Sequence, residues 1–284
     1  MEKIAVVTDT GSNLSFAQAK ELGIYLLPLQ ITIDETTYQD TLEISTQDIY
    51  NELANGKMPK TSMAAYQKIY DLFEELKKEY DTVFAIPLTN GLSTNASTMQ
   101  SIARELEMNV HVIDMYSTCE LEKHVAIWIK ELVDANKSSE EILEIIRPAI
   151  DESNSLILVK NLQHLKRGGR LTPMAATLAG LLKIYPVLHI NKSTKGRIDV
   201  LNKVRTEKRA DAYAIDKVMD DIDIQHTHIY IIHSNFLEGA NHFKKCFIEK
   251  GVPEQNIHID YISSVIAVHT GLGCIAIQYI REEN

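Results

Sequence analysis

The sequence has few cysteines and no long apolar run. The three cysteines, Cys119, Cys246 and Cys274, lie far apart and form no CxxC pair. They indicate neither a disulfide framework nor a cysteine zinc site, and they suit a reducing compartment. No stretch approaches the roughly 18 consecutive apolar residues of a membrane-spanning helix. The first residues form a strand pattern without the basic start of a signal peptide. These absences predict a cytoplasmic protein with no stable membrane insertion.

Motifs for cofactors are also scarce. The chain contains neither GxGxxG nor GxxxxGK[ST], the common phosphate-binding patterns. The nearest segment, KRGGRLTP (166–173), lacks the Lys-Ser/Thr end that a phosphate cradle needs. Most histidines are isolated, and His226 and His228 have no carboxylate at metal-ligand spacing. The sequence therefore predicts no cofactor and no metal.

Charge is unevenly distributed along the chain, which has a net charge of −10. The balance is −14 over residues 1–155 and +4 over residues 156–284, and Lys160 to Arg209 holds 12 basic residues against two acidic ones. This basic segment is either a solvated face or a docking surface for an acidic, phosphate-bearing partner. Nucleic acid is not expected, because the whole chain is acidic and aromatics are not interleaved with the basic residues.

The pattern of apolar residues predicts an α/β protein. Strands that alternate with helices of 10–15 residues indicate βαβ units and a parallel sheet in the first half. The second half predicts a mixed sheet, with a hairpin over residues 186–205. We expect an N-terminal α/β domain over residues 1–154 and a C-terminal α/β domain over residues 155–284. Predicted strands include Ile4–Thr8, Tyr25–Ile33 and Val83–Leu88, and predicted helices include Ala64–Lys78, Ala96–Glu107 and Leu121–Ala135.

Three polar stretches follow predicted strands or precede predicted helices in the first half: TDTGSNL (8–14), KTSMAA (60–65) and AIPLTNGLSTNA (85–96). Open α/β sheets bind ligands beyond the carboxyl ends of their strands, where helix starts offer N–H groups to anions. Each stretch alone is explained by helix capping. If the three converge, they would suit a single carboxylate, which needs only a few donors.

Eight segments resemble, in order along the chain, the signatures of the DegV family of bacterial fatty-acid-binding proteins. They are VVTDTGSNL (6–14), TSMAA (61–65), IPLTNGLSTNAS (86–97), VIDM (112–115), NLQHLKRGGRLT (161–172), LLKIYPVLHI (181–190), GRIDVLNKVRTEKRA (196–210) and HTGLGCIAIQYI (269–280). The resemblance implies a two-domain DegV-like fold with one long-chain fatty acid between the domains. It also implies an acyl carrier subunit of a bacterial fatty acid kinase. A separate ATP-binding subunit would phosphorylate the carboxyl group, and the acyl phosphate would feed phospholipid synthesis.

The resemblance also implies site residues. Thr61 or Ser62 and Ser93 would hold the fatty-acid carboxylate, with Arg170 and His269 close to the head group. Arg205, together with Arg170, would act toward the kinase partner.

The chain departs from the family pattern at several of these segments. Ala64 and Ala65 replace Pro-Ser, Thr94 and Asn95 lie where the family has Gly-Thr, and Tyr185 replaces a lysine.

A serine hydrolase is the alternative from another class of protein. It would use Ser93 as nucleophile, His269 as base and Asp9 or Asp114 to orient the histidine. The segment NGLST lacks the GxSxG elbow that positions such a serine.

Overall fold

The structure, a computed structural model, describes residues 2–181 and 183–282, so Leu182 of the segment LLKIYPVLHI lies outside the described residues. The chain divides into two compact units. The first unit takes residues up to Pro148 together with Ser263–Val265, and the second takes Ala149–Ile262 and the chain from Ile266 onward.

The first unit is built on a parallel sheet with the strand order β2-β1-β6-β7, and it carries a separate three-stranded sheet with the order β4-β3-β5. Every residue of β1 and β6 is buried, which explains their continuous apolar sequences. The strands are β1 (Ile4–Asp9), β2 (Tyr25–Leu27), β3 (Gln30–Ile33), β4 (Thr36–Gln39), β5 (Lys60–Ser62), β6 (Thr82–Ile86) and β7 (Val110–Val112). The helices are α1 (Phe16–Leu22), α2 (Thr46–Ala54), α3 (Tyr66–Glu79), α4 (Asn95–Glu105), α5 (Glu120–Asp134) and α6 (Ser139–Glu152), within which the chain passes to the second unit.

The second unit contains a mixed six-stranded sheet with the order β10-β9-β8-β13-β11-β12. Only β11 and β12 pair in parallel, and β9 and β10 form the predicted hairpin. The strands are β8 (Asn154–Leu158), β9 (Tyr185–Ile190), β10 (Asp199–Val204), β11 (Thr227–His233), β12 (Ile257–Tyr261) and β13 (Ile275–Arg281). The helices are α7 (Leu162–Gly168), α8 (Pro173–Leu178), α9 (Glu207–Asp221), α10 (Leu237–Glu249) and α11 (Ser264–Thr270). The predicted parallel sheet and mixed sheet are both confirmed.

One predicted strand is wrong. Tyr25–Ile33 is not continuous: β2 belongs to the parallel sheet and β3 to the three-stranded sheet. The break falls at Pro28, which has no N–H for a ladder. The next N–H, that of Leu29, donates to the side chain of Thr10 at 3.1 Å instead of to a strand.

Among the described residues, no helix combines the length and the apolar character needed to cross a membrane.

Candidate functional site

The first strand ends in a fully buried carboxylate, that of Asp9. Its Oδ1 accepts the N–H of Gly11 at 2.8 Å. Its Oδ2 accepts the N–H of Leu88 at 3.0 Å and the side-chain amide of Asn95 at 2.6 Å. Asp9 thus joins the first predicted polar stretch to the third.

Ser93 lies in the turn between β6 and α4 and is half-buried. Its backbone N–H donates to the carbonyl of Thr89 at 3.1 Å, and its hydroxyl oxygen accepts the N–H of Asn95 at 3.2 Å. A serine hydroxyl has one proton and two acceptor positions. The bond from Asn95 does not use the Ser93 hydroxyl proton, so this proton can be donated to another group.

The second polar stretch meets the third through Met63. The sulfur of Met63 accepts the hydroxyl protons of Thr94 at 3.5 Å and Thr98 at 3.3 Å. The three stretches therefore contact one another within the first unit, and their convergence on a carboxylate stays a prediction.

Thr61 and Ser62 are neighbours in β5 and therefore point to opposite faces of the three-stranded sheet. Ser62 is exposed and donates its hydroxyl proton to the side-chain carbonyl of Gln30 at 3.1 Å. Thr61 is half-buried. The two hydroxyls that the sequence left as alternatives thus have different surroundings.

Two further carboxyl groups of the first unit, those of Glu122 and Asp40, are fully buried, and sequence analysis missed both. Glu122 on α5 is fully buried, and burial together with the charge of Asp9 raises its pKa well above the usual range. Burial raises the pKa of Asp40 to about 6, against hydrogen bonds from Ser264 and Thr10. A signal for Glu122 existed: it is in helical phase with the buried apolar positions 125, 126 and 129, where an acid is unusual.

In the second unit, Arg170 and His269 meet at one carbonyl oxygen, that of Gly168. An Arg170 guanidinium nitrogen donates to it at 2.8 Å, and Nδ1 of His269 lies 3.1 Å from it. Since a carbonyl can only accept, Nδ1 carries the proton and Nε2 is a hydrogen-bond acceptor. Burial, helped by the charge of Arg170, lowers the pKa of His269 to about 4, so the imidazole is neutral at pH 7.

Gly168 is required for this packing. A Cβ on Gly168 would lie 2.9 Å from the carbonyl oxygen of His269 and 3.1 Å from its Cα. The next residue, Gly169, has a φ of 76° and ends α7.

Arg205 lies between the end of β10 and Thr206, the N-cap residue of α9. Its side chain is exposed and has no hydrogen bond or ion pair with the part of the chain that the structure describes. By contrast, Lys160 and Lys192 of the same basic segment pair with Glu207 and Asp151. The basic segment is therefore only partly neutralised by local pairing.

The hydrolase alternative finds no support in these contacts. Asp9 is occupied by Gly11, Leu88 and Asn95. Asp114 accepts the N–H groups of Asn90 and Tyr116. The Nδ1 proton of His269 goes to a carbonyl, whereas a catalytic triad would direct it to a carboxylate. Over residues 2–181 and 183–282, no group of three or more His, Cys, Asp or Glu side chains is arranged to hold a metal.

The fold and these contacts define a class: an α/β protein of two units, with hydroxyls and buried acids at the end of a parallel sheet. The sequence model of the DegV family, a family of uncharacterised proteins, matches residues 3–282, and the chain belongs to this family. A DegV domain-containing protein of Halalkalibacterium halodurans is 32% identical over 289 residues and covers 100% of both chains.

Solved structures of DegV family proteins are also similar to this chain. The fatty-acid-binding DegV family protein of Streptococcus agalactiae is similar with a TM-score of 0.91 and 28% identity over 100% of both chains. DegV of Bacillus subtilis, a fatty-acid-binding protein, is similar with a TM-score of 0.86 and 28% identity over 99% of this chain and 100% of the other.

Proposed function

We propose that this protein binds one long-chain fatty acid and presents its carboxylate to a separate, ATP-dependent kinase subunit, without itself being the catalyst. The observation that carries the proposal is the hydrogen bonding of Ser93. Its hydroxyl oxygen accepts a backbone N–H, which leaves its proton for an external acceptor such as a carboxylate. The related proteins of Streptococcus agalactiae and Bacillus subtilis, which bind fatty acids, support the choice of ligand.

The energetics of a fatty acid suit so modest a polar site. Each buried methylene contributes roughly 0.8 kcal/mol, so about fifteen would contribute roughly 12 kcal/mol before the cost of association. The polar groups need only ensure that the carboxylate is not buried unpaired.

Of the two candidate hydroxyls in β5, burial favours Thr61 as the second carboxylate donor. The Ser62 hydroxyl proton is already donated to Gln30, and Ser62 is exposed. Thr61 is half-buried and points to the other face of β5.

His269 would assist as an acceptor. A neutral imidazole whose Nδ1 donates to Gly168 cannot donate from Nε2 to a carboxylate, but it can accept a proton from a hydroxyl group. Its role would be to orient a hydroxyl that in turn binds the carboxylate.

Arg170 supplies fixed positive charge beside His269, which would stabilise the negative charge that develops when a carboxylate becomes an acyl phosphate. Arg205 is exposed in a basic segment and suits the docking of an acidic, nucleotide-loaded subunit.

Mass spectrometry of lipid released from the denatured protein tests the proposal. We expect one fatty acid per chain in the wild type and a reduced amount in Ser93→Ala. Ser97→Ala is the matched control, because Ser97 is an exposed serine of α4 that bonds only its own helix. Addition of the kinase subunit and ATP should convert the bound lipid to acyl phosphate. An empty protein that hydrolyses an ester would contradict the proposal.

A further inference from the structure

One oxygen atom of Asp9 holds both ends of the segment that carries Ser93. Oδ2 accepts the N–H of Leu88, where the segment leaves β6, and the side chain of Asn95, where it enters α4. The two bonds span 79 and 86 residues of sequence, so they are tertiary contacts that the loop cannot make by itself. Asp9 is fully buried, so water does not compete for these bonds.

Asn95 connects this anchor to Ser93 directly. Its side-chain amide donates to Asp9 at 2.6 Å, while its backbone N–H donates to the Ser93 hydroxyl oxygen at 3.2 Å. The Asn95 N–H occupies one lone pair of the Ser93 oxygen and so directs the Ser93 hydroxyl proton away from Asn95. A displacement of Asn95 would therefore change the direction of the Ser93 proton.

The contacts of Thr8 indicate the protonation state of Glu122. The Thr8 hydroxyl oxygen lies 2.7 Å from the carbonyl oxygen of Ile86 and 3.1 Å from Oε1 of Glu122. The hydroxyl has a single proton, and the Ile86 carbonyl can only accept it. The shorter contact takes most of this proton, so Thr8 donates mainly to Ile86 and an ionised Glu122 would gain little from Thr8.

The rest of the environment of Glu122 agrees with a neutral side chain. Glu122 also shares a side-chain hydrogen bond with Asp9, and two acids can share such a bond only if one of them carries a proton. The groups that face Glu122 are Asp9 at the end of β1 and Cys119 before α5, and Asp40 also faces Asp9. A second negative charge beside Asp9 would be opposed by repulsion.

We propose that Asp9 is a positioning residue for the fatty-acid head group, which orients the Ser93 hydroxyl through Asn95, and that a protonated Glu122 keeps the single negative charge of the pair on Asp9. This inference rests on the proposed function, because it assigns to Ser93 the role of carboxylate donor. It adds that two buried acids, Asp9 and Glu122, fix the orientation of the Ser93 hydroxyl without contacting the ligand themselves.

The first test is a double-mutant cycle on retention of oleate, used as the probe. Asp9→Asn leaves one acceptor oxygen in place of two, so the bonds from Gly11, Leu88 and Asn95 can no longer all be made, and we expect about a tenfold loss of retention. Asn95→Ala breaks the same link from the other side and should give a similar loss. The double variant of Asp9→Asn with Ser93→Ala should be no weaker than Ser93→Ala alone, because Asp9 acts through Ser93.

Hydrogen exchange gives a readout that does not need the ligand. In Asp9→Asn, the amides of Leu88 and Asn95 should exchange faster, while the strand amides of β1 and β6 stay protected. If Asp9→Asn leaves both oleate retention and these two amides unchanged, or if its effect simply adds to that of Ser93→Ala, the positioning role is wrong.

The variant Glu122→Gln tests whether Glu122 is protonated. Gln is neutral at every pH and can donate to Asp9 as a protonated acid does. We expect retention like that of the wild type at pH 6 and a smaller loss of retention than in the wild type as the pH is raised and Glu122 ionises. Identical pH profiles for the two proteins would overturn the protonated state. If the wild type itself retains no fatty acid, the proposed function fails, whereas retention that depends on Ser93 but not on Asp9 rejects only this inference.

Discussion

The polar clusters of the two units differ in the sign of the charge that burial suppresses. In the first unit, burial raises the pKa values of Asp40 and Glu122, so these acids tend toward the neutral form. In the second unit, burial and Arg170 lower the pKa of His269, so a base tends toward the neutral form. Both effects follow from the cost of a buried charge. The comparison teaches that burial favours the neutral form of ionisable side chains in both units, acids in the first and a base in the second.

The largest expected effect is a loss of stability at low pH, caused by His269 in the second unit. The folded-state pKa of His269 is about 4 and its unfolded value is 6.5, so the unfolded chain binds the extra proton first and stability falls as pH drops from about 6.5 to about 4. The shift in the pKa of His269 corresponds to about 3 kcal/mol. His269→Gln, which can still donate to Gly168, should lose less stability between pH 7 and pH 4 in urea titrations. An equal acid loss in both proteins would contradict the lowered pKa.

Packing at Gly168 offers the next largest effect. Gly168→Ala would place a Cβ against the backbone of His269, and we expect a loss of about 1–3 kcal/mol in the free energy of unfolding. Gly169→Ala is the matched control, since nothing lies within 4 Å of its Cβ and only its positive φ opposes the change. That control should cost about 1 kcal/mol. If Gly168→Ala lost no more free energy of unfolding than Gly169→Ala, the packing of Gly168 against His269 would be loose.

In the first unit, stability should instead fall as the pH rises, because of the buried acids Asp40 and Glu122. A carboxyl group whose folded-state pKa is raised contributes stability below its unfolded pKa and loses it as pH rises through the folded value. For Asp40 the loss falls between about pH 4 and about pH 6. For Glu122 the loss extends to higher pH, so the stability of Glu122→Gln relative to the wild type should rise between pH 5 and pH 8. A variant that is less stable than the wild type at pH 8 would show that ionised Glu122 is needed.

The roles of the two hydroxyls of β5 can be separated by affinity. Thr61→Val removes a hydroxyl and keeps the shape, and it should weaken fatty-acid retention by about 1.5 kcal/mol, roughly tenfold. Ser62→Ala should leave retention unchanged, since Ser62 bonds Gln30 and is exposed. The opposite ranking in lipid extraction would assign the donor to Ser62.

Arg205→Ala should have the smallest effect on the protein itself. The side chain is exposed, so the free energy of unfolding should change by less than about 0.5 kcal/mol and lipid content should be normal. We expect slower phosphorylation by the kinase subunit, with the defect smaller at higher salt because screening already weakens the attraction in the wild type. A defect that is independent of salt would argue against an electrostatic docking role.

The sequence by itself determined the alternation of strands and helices, because each element has its own apolar period and its own caps. Ser45 and Asp48, for example, form a capping box at the start of α2, and Thr206 caps the start of α9. It also placed hydroxyls after buried strands, and so at the edge of a sheet where ligands bind. Pro28 is a local signal that should have divided the predicted strand Tyr25–Ile33.

Only the tertiary structure decided which side chains face each other and which protons they carry. Asp9 meets Asn95 across 86 residues, and Thr8 meets Glu122 across 114. Such distances in sequence carry no local signal, so Asn95 looked like a mere departure from a family pattern and Glu122 like one more acid on a helix. Their pKa values and hydrogen-bond directions depend on burial and on these partners, and both exist only once the chain has folded.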